Sequence, residues 1–572
     1  MKLHLPKGVI ITVCSSLLAA NTHADEPMYI NLGKAENTKV SDNLITCDSN
    51  LLEVSIINPG KKALKVGDGD LIGYFETTNN ESGQPIPDSF VTKFGVTGSA
   101  NTNEKVSNSF KVGGDLEISG SGKVYVGGKS SGNFYAYLEA NNVTINGTGN
   151  NLTANGSSST TVNDLANLNL RADSGKLATL TMNGGAAYLC TYESGGGDGT
   201  WGPNISDSCK SIYITGKLEV NDGYLQMGYG TSSNNLSNQA KHFRTLLGGD
   251  IEQNGGTIQS NGKVYLGGKT ITQTGGSMVL GHNTVQERLV LKNSTLSIKQ
   301  LLNEEGKDNK STLTISGSFI GTSTSAARKL EIVQETSGTI EFNKGVLFET
   351  SASTGASTIT QSGGGIINLS GDFSSAVFDI EQSKGSINLK SGAKMASNIL
   401  SLNTAATLNI AGTMTVNDKL SFNLTTPGQE TAAIVMASGG NIEVADMTSA
   451  VEFNLEDAII SDMKMEALAY TAETGEAEYT YTIDLISGLS VADKAEFDTL
   501  IENGKLSWSL ELPQALSEST ITSTELLESG IRWSDSGDTL QLYTTWKSVP
   551  EPATATLSLL ALATLAARRR RK

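Results

Sequence analysis

The sequence predicts an all-β protein whose main body is a right-handed parallel β-helix, or β-solenoid. Two recurring phrases predict it. The first phrase is Ile-x-Gln, where x is any residue. The second phrase is Gly-x-apolar-x-apolar. The first phrase occurs at Ile251 and Gln253, Ile271 and Gln273, Ile332 and Gln334, Ile359 and Gln361, and Ile380 and Gln382. The second begins at Gly122, Gly216, Gly262, Gly276, Gly338, Gly365, Gly385 and Gly412.

Each phrase has the form of a short strand. Alternation places its two apolar residues on one face, and the glycine allows the chain to turn with positive φ. Because one unit is too short to bury its own apolar face, many units are expected to stack into a continuous column. The intervals of 20 residues from Ile251 to Ile271, 27 from Ile332 to Ile359 and 21 from Ile359 to Ile380 each suit one coil.

The glutamine of each first phrase faces the same side of its strand as the isoleucine, because the two lie two residues apart. In stacked coils we expect these glutamines to form an amide ladder along the array. An ordinary antiparallel β-sandwich with glycine-rich turns is the alternative fold that the same phrases leave open.

The composition is typical of many short strands joined by polar turns. The chain has 572 residues, with 62 glycines, 10 prolines, 18% charged and 6% aromatic residues, unlike a helical protein, a collagen or a disordered chain. Its net charge is −17, and the body without the two ends, with 35 basic and 58 acidic residues, carries −23. An acidic body repels phosphate backbones, so we expect no nucleic-acid partner.

Changes in composition and in the repeat pattern along the chain predict five segments. Residues 1–24 have the form of a signal peptide, with Lys2 and Lys7 at the basic end and an apolar stretch from Val9 to Ala20. The other segments are a capping section of the solenoid (25–109), the solenoid repeats (110–424), a smaller β-rich C-terminal domain (425–546) and a sorting tail (547–572).

The predicted C-terminal domain contains two further local signals. Ser490 and Asp493 have the spacing of a capping box, which predicts one helix after Ser490. The segment from Leu540 to Trp546 alternates and is expected to be the final strand.

Three cysteines follow the predicted signal peptide. Cys190 and Cys209 flank a turn-rich stretch, and in an oxidising compartment we expect them to form a disulfide, which leaves Cys47 as a buried free thiol. The absence of a CxxC pattern predicts no thiolate metal site. Asp-Gly turns at Asp68 and Asp198 are the one hint of Ca²⁺ binding, although aspartate is also a common turn residue.

Parallel β-helices include polysaccharide lyases and hydrolases, which makes such an enzyme the alternative function. The mature chain has two histidines, His242 and His282, and Gly281-His282-Asn283 is faintly similar to the Gly-His-Gly of polygalacturonase-like hydrolases. The paired carboxylates that should precede it are absent, and no catalytic groups converge. We therefore expect no enzyme activity and no cofactor.

Internal duplication supports the solenoid. The segments from Gly113 to Lys129 and from Gly248 to Lys269 echo each other, each running from Gly-Gly-Asp to Gly-Gly-Lys. The repeated rungs, over roughly 300 residues, resemble the β-helical passenger region of autotransporter-like surface proteins.

The last residues carry the most specific signal in the sequence. The stretch Val549-Pro550-Glu551-Pro552 is followed by 15 apolar or small residues and then by the basic cluster Arg568, Arg569, Arg570, Arg571 and Lys572. The apolar run is shorter than the about 20 residues of a comfortable transmembrane helix, and the basic cluster is expected to stay on the cytoplasmic side. The order of the three parts closely resembles the PEP-CTERM protein-sorting domain.

That resemblance implies that the tail, as a short hydrophobic helix, holds an exported protein transiently at the inner membrane. A membrane enzyme of the exosortase kind would recognise Pro550, Glu551 and Pro552 and process the tail. The body would then reach the cell surface or the extracellular matrix, often alongside exopolysaccharide. The sequence therefore predicts an exported structural or adhesive protein whose polar sheet faces contact glycans or matrix proteins, with a β-helical polysaccharide lyase or hydrolase as the alternative.

Overall fold

The computed structural model divides into two compact units. Met1–Leu330 with Gly338–Ala352 forms the N-terminal unit, and Glu331–Ser337 with Ser353–Lys572 forms the C-terminal unit. The residues that the structure describes are 28–30, 44–48, 53–56, 64–66, 70–75, 92–97, 106–112, 116–119, 123–128, 134–147, 167–171, 174–190, 211–227, 244–260, 263–281, 288–291, 295–321, 328–348, 356–424, 432–452, 466–471, 476–511 and 524–548.

Short strands dominate the described residues, which contain a single helix, α1 (Val491–Glu502). The first half of the chain contains β1 (Met28–Ile30), β2 (Leu44–Asp48), β3 (Glu53–Ile56), β4 (Leu64–Val66), β5 (Asp70–Phe75), β6 (Thr92–Thr97), β7 (Val106–Val112), β8 (Leu116–Ser119), β9 (Lys123–Gly128), β10 (Phe134–Asn146), β11 (Asn167–Arg171), β12 (Ser174–Cys190), β13 (Ser211–Ile214), β14 (Leu218–Met227), β15 (Arg244–Leu247), β16 (Ile251–Gln253), β17 (Thr257–Ser260), β18 (Lys263–Leu266), β19 (Thr270–Gln273), β20 (Ser277–Leu280) and β21 (Arg288–Leu291). The second half contains β22 (Thr295–Gln300), β23 (Thr312–Ile315), β24 (Ser318–Gly321), β25 (Lys329–Gln334), β26 (Thr339–Phe342), β27 (Val346–Phe348), β28 (Ser357–Gln361), β29 (Ile366–Leu369), β30 (Phe378–Gln382), β31 (Gly385–Leu389), β32 (Lys394–Asn403), β33 (Ala406–Ile410), β34 (Thr413–Leu424), β35 (Ile434–Met436), β36 (Asn441–Val444), β37 (Met447–Glu452), β38 (Glu466–Thr471), β39 (Glu476–Ser487), β40 (Leu506–Glu511), β41 (Thr524–Trp533) and β42 (Leu540–Ser548).

Parallel pairing arranges the strands of the N-terminal unit into three stacks, in which long strands such as β12 take part more than once. Stack A runs β1–β4–β8–β10–β12–β14–β16–β19–β22. Stack B runs β2–β6–β5–β9–β11–β12–β14–β17–β20–β23–β26. Stack C runs β3–β7–β10–β12–β13–β15–β18–β21–β24–β27. This coiled arrangement is a β-solenoid.

The C-terminal unit repeats the arrangement and then changes it. Stack D runs β25–β28–β30–β32–β34–β37–β40. Stack E runs β29–β31–β33–β35–β39, and stack F runs β32–β34–β36. The pairs β38–β39, β39–β42 and β41–β42 are antiparallel.

Alternate residues of the strands form the core of each unit. In stack A, Leu116, Val143, Leu180 and Leu218 occupy adjacent register positions and are buried. Each such side chain contributes roughly 1.5–3 kcal/mol relative to an exposed one, as an upper estimate. The second phrase of the sequence therefore supplies one segment of a continuous apolar column.

The structure confirms the predicted parallel solenoid, and the antiparallel sandwich alternative is wrong. Parallel pairing is already present between β1 and β4 and continues past Leu424 to β37 and β40, so the segment bounds at 109 and 424 do not mark a change of pairing and stay predictions. The capping-box helix and the final strand are confirmed as α1 and β42. The predicted hydrophobic tail helix lies outside the described residues.

Candidate functional site: amide ladders and an outer hydroxyl row

Three glutamines form a ladder inside the N-terminal unit. Gln253, Gln273 and Gln300 end strands β16, β19 and β22, occupy adjacent register positions and are fully buried. Nε2 of Gln273 donates to Oε1 of Gln253 at 2.9 Å, and Nε2 of Gln300 donates to Oε1 of Gln273 at 2.7 Å. The predicted amide ladder is confirmed in this unit.

Each ladder amide also ties its coil to the next. Nε2 of Gln253 donates to the carbonyl oxygen of Gly256 in the following turn, at 3.1 Å, and to that of Ser277 one coil later, at 2.9 Å. The Gly256 carbonyl additionally accepts the N–H of Ser277 at 3.0 Å. A buried amide left without partners costs about 1–3 kcal/mol, so the ladder favours one register of the coils.

The turns after the ladder strands require glycine for two different reasons. Gly276 has a φ of +77°, and a Cβ at this position would lie 2.7 Å from Nε2 of Gln253. The predicted positive φ is confirmed there and at Gly385, but it is wrong at Gly216, Gly338, Gly365 and Gly412. At Gly338 φ is not positive, and glycine is needed because a Cβ would lie 2.4 Å from the carbonyl oxygen of Ser311.

A second ladder lies inside the C-terminal unit. Gln334, Gln361 and Gln382 of stack D are fully buried, and the Nε2-to-Oε1 distances are 2.6 Å from Gln361 to Gln334 and 2.9 Å from Gln382 to Gln361. Within the described residues Oε1 of Gln382 has no hydrogen-bond donor. The next position in the column is Leu402, so this ladder ends at Gln382.

Sequence reasoning missed Gln300. Ile298 and Gln300 have the spacing of the first phrase, and Ile298 lies 27 residues after Ile271. No glycine stands within four residues of Gln300, as one does after the other ladder glutamines, because a longer charged loop of residues 301–310, with Gly306 in it, takes the place of the short turn. Asn303 orders this loop by accepting the backbone N–H groups of Glu305 and Lys307. The isoleucine–glutamine spacing alone was the signal that could have found this rung.

Asparagine ladders run along the outside of each unit. In the N-terminal unit the ladder consists of Asn146, Asn183, Asn221, Asn254 and Thr274. Each residue after Asn146 donates to Oδ1 of the asparagine one coil earlier, at 2.7 or 2.8 Å. The C-terminal unit has a shorter ladder of Asn368, Asn388 and Asn409, with distances of 2.8 and 2.7 Å. These ladders add hydrogen bonds between successive coils and present amides to the solvent.

Stack B carries a row of hydroxyl groups on its outer face, which we call the hydroxyl row. Adjacent register positions on five strands are occupied by Tyr224, Thr257, Ser277, Thr312 and Thr339. Oγ1 of Thr312 donates to Oγ of Ser277 at 2.9 Å, and Oη of Tyr224 donates to Oε1 of Gln259 at 3.1 Å. The row is uncharged and repeats at the strand spacing of about 4.8 Å.

Stack A has a charged outer face instead. Nζ of Lys217 lies 3.0 Å from Oε2 of Glu219 and 2.5 Å from Oε2 of Glu252. The hydrogen bond to Glu252 raises the pKa of Lys217, and the bond from Lys217 lowers the pKa of Glu219. All three side chains are partly exposed, where such pairs contribute at most about 1 kcal/mol.

Most residues singled out from the sequence lie outside the described part of the chain. These are Asp68, Asp198, Cys209, His242, His282, Pro550, Glu551, Pro552, Arg568, Arg569, Arg570 and Arg571. Cys47 lies in β2 and Cys190 ends β12, with side chains that are not described. Across the described ranges no three His, Cys, Asp or Glu side chains are grouped as metal ligands. The disulfide, the free thiol and the Ca²⁺ turns therefore stay predictions.

The comparisons with known proteins identify the C-terminal end. Residues 548–572 match the PEP-CTERM protein-sorting motif. No curated protein and no solved structure matches the chain, so the resemblance of the body to autotransporter passengers stays a prediction.

The motif marks the chain as an exported protein that is sorted at a membrane and processed by an exosortase, a membrane enzyme. This confirms the sorting motif that the order of Pro550-Glu551-Pro552, apolar run and arginine cluster indicated. Helix α1, the single helix of the described ranges, is not long and apolar enough to cross a membrane.

Proposed function

We propose that the protein is a structural and adhesive component of the cell surface or extracellular matrix, built as a right-handed solenoid without catalytic activity or a resident cofactor. The observation that carries this proposal is the hydroxyl row, a regular uncharged surface on a solenoid that inner amide ladders hold in register. The sorting motif supports the location, because it directs export and membrane-associated processing.

The chemistry of the row suits neutral glycans. Each hydroxyl both donates and accepts hydrogen bonds, and the ring of Tyr224 adds an apolar surface next to them. Thr312 is exposed and its neighbours in the row are half-buried, so the groups are accessible from solvent. Because the body carries −23 overall, an uncharged polysaccharide meets less repulsion than an acidic one.

The proposed lack of catalysis rests on the sequence. No paired carboxylates stand at a spacing that suits acid–base chemistry, and no observation in the described residues favours a polysaccharide lyase or hydrolase over a binding surface.

Fractionation of the source cells with mass spectrometry of the protein's C-terminus tests the location. We expect the surface or secreted form to end near Pro550 to Pro552 and to lack Arg568 to Lys572. An intact basic end that persists in the inner membrane would contradict the proposal and favour a periplasmic role.

Binding to an array of neutral and acidic polysaccharides tests the adhesive part. We expect the wild type to bind at least one neutral polymer, and the double variant Thr257→Lys with Thr312→Lys to lose that binding. The matched control is Thr272→Lys, which changes an outer residue of stack A instead. Equal binding by the double variant and the wild type would remove the hydroxyl row as the site, and no binding by the wild type would remove the adhesive role.

A further inference from the structure

Within the residues that the structure describes, stack D ends in an open strand edge. Strand β40 pairs with β37 in parallel, from Leu506 opposite Met447 to Glu511 opposite Glu452. Among the described residues β40 has no second strand partner. Ser507, Trp508 and Ser509 are exposed. Its outer backbone groups therefore form a template for another strand.

The other two stacks of the C-terminal unit end differently. Stack F ends in β36, where Oε1 of Glu496 on helix α1 accepts the backbone N–H of Val444 at 2.9 Å. Stack E ends in β39, which continues into the antiparallel pairs with β38 and β42. Natural proteins usually cover such edges, so an edge that the described residues leave open, while they cover its two neighbours, is a candidate binding surface.

The open edge exposes the end of a core column. Phe422, Ser449 and Trp508 occupy adjacent register positions on the inward side of stack D. Phe422 is fully buried, whereas Trp508 is 45% exposed. A strand added to β40 would need an apolar residue at the position above Trp508, and a second one above Leu506.

Strand β1 of the N-terminal unit has this pattern. It is the first strand of stack A and, in the described part of the chain, pairs with β4 alone. Met28 pairs in register with Leu64, which pairs with the buried Leu116. In the same way, Ile30 pairs with Val66, which pairs with the buried Ile118. Both strands pair in parallel with their neighbours, so β1 can join β40 with the same strand direction. Both strands also have apolar residues at alternate positions.

We propose that β40 of one copy of this chain pairs in parallel with β1 of a second copy, with Leu506 opposite Met28, Ser507 opposite Tyr29 and Trp508 opposite Ile30. The backbone pairing is β-strand addition, and both apolar columns continue across the joint. Because the two surfaces differ, the contact is head-to-tail and produces closed rings or open filaments. The inference goes beyond the proposed function, since it concerns the ends of the stacks and not the glycan-binding row.

Disulfide crosslinking between two different variants tests the register. The Ser507→Cys variant is mixed with the Tyr29→Cys variant under mild oxidation, and the linked peptides are identified by mass spectrometry. We expect a peptide that joins positions 507 and 29, and none when Val491→Cys, on the exposed face of α1, replaces Ser507→Cys. Absence of the 507–29 peptide, or a 507–507 peptide in its place, overturns the proposal.

Sedimentation of the exported, purified chain tests the energetics. Trp508→Lys is expected to weaken self-association by about tenfold or more, as for a central aromatic residue of an interface, and Val491→Lys is expected to leave it unchanged. Since Trp508→Lys changes the end of a core column, its folding is checked by circular dichroism, and Tyr29→Lys serves as a second variant on the opposite strand. A wild type that stays monomeric at high concentration, or variants that associate as the wild type does, would overturn the proposal. Neither outcome bears on the C-terminal processing or on the polysaccharide array.

Discussion

Two regions of the molecule are stabilised by different kinds of contact. One is the coils that carry the glutamine ladders, in both units. The other is the closing part of the C-terminal unit, which consists of helix α1 and the antiparallel strands β38, β39, β41 and β42. In the coils the same contact recurs at each rung, as in the buried amide bonds from Gln361 to Gln334 and from Gln382 to Gln361. In the closing part each contact occurs once. Nε1 of Trp533 donates to Oδ1 of Asp498 at 2.9 Å, and Nζ of Lys494 lies 4.8 Å from the centre of the Trp533 ring. The stability of the coils therefore depends on the rung whose amide has the fewest hydrogen bonds. The stability of the closing part depends on a few individual side chains.

The largest effect is expected from the middle of a ladder. Gln361→Leu removes the amide bonds to Gln334 and Gln382 and two bonds to backbone carbonyls. At about 1 kcal/mol for each of these four neutral hydrogen bonds, the free energy of unfolding should fall by roughly 4 kcal/mol. Urea denaturation measures it.

The end of the same ladder is the control for the middle. Gln382→Leu removes three hydrogen bonds, but it also removes the buried Oε1 that has no donor in the described residues. Its cost should therefore be clearly smaller than that of Gln361→Leu. Equal losses in the free energy of unfolding for Gln361→Leu and Gln382→Leu would mean that each glutamine contributes independently of its place in the ladder.

The capping box of α1 is expected to give the next largest effect. Oγ of Ser490 accepts the N–H of Asp493 at 3.2 Å, and Oδ2 of Asp493, a residue that is 2% exposed, accepts the N–H of Ser490 at 2.8 Å. Ser490→Ala should lower the free energy of unfolding by about 1 kcal/mol. Val491→Ala, at a position that is 88% exposed, should change it by less than about 0.5 kcal/mol. A larger effect at Val491 than at Ser490 would show that capping is not what holds the helix.

A smaller, pH-dependent effect is expected at Glu496. Burial raises the pKa of Glu496 above its ordinary value of 4.5, although the N–H of Val444 opposes the shift. Because the folded state holds this proton more tightly, the stabilisation is complete below pH 4.5 and is lost as the pH rises through the folded-state pKa. Glu496→Gln keeps an oxygen acceptor for Val444, so the variant should lose this fall of stability above pH 4.5. Urea denaturation from pH 4 to pH 8 compares the two, and parallel curves would contradict the assignment.

The smallest effect is expected on the charged outer face of stack A. Lys217→Met removes the ion pairs with Glu219 and Glu252. Exposed pairs contribute at most about 1 kcal/mol and are screened by salt. The loss in stability should therefore shrink when thermal unfolding is repeated at high ionic strength. A loss that does not depend on salt would indicate packing of the lysine stem instead of charge.

The same comparison explains what the sequence could predict. A rung repeats its isoleucine, glutamine and turn glycine, so the solenoid and the inner ladder were both readable from local spacing. Gln300 was missed because the charged loop after it replaces the glycine turn. In the closing part only the capping box was readable, since Ser490 and Asp493 are neighbours in sequence. The contact of Trp533 with Asp498 and that of Glu496 with Val444 join distant residues, and no repeat announces them.

The candidate site divides in the same way. The sorting motif is a contiguous stretch, so the order of Pro550-Glu551-Pro552, apolar run and arginines was sufficient to indicate it. The hydroxyl row could not be predicted, because its members come from five coils of unequal length. Their alignment depends on where each loop ends, and only the register of the strands brings Tyr224, Thr257 and Thr312 into one line.

Hydrogen exchange followed by mass spectrometry, on the wild type and on Gln361→Leu, tests most directly whether shared amides hold the coils. The predicted result is faster exchange in residues 357–389, around the substituted rung, with unchanged protection in residues 524–548, where β41 and β42 pair. Unchanged exchange throughout, or an equal loss of protection in both ranges, would contradict the account.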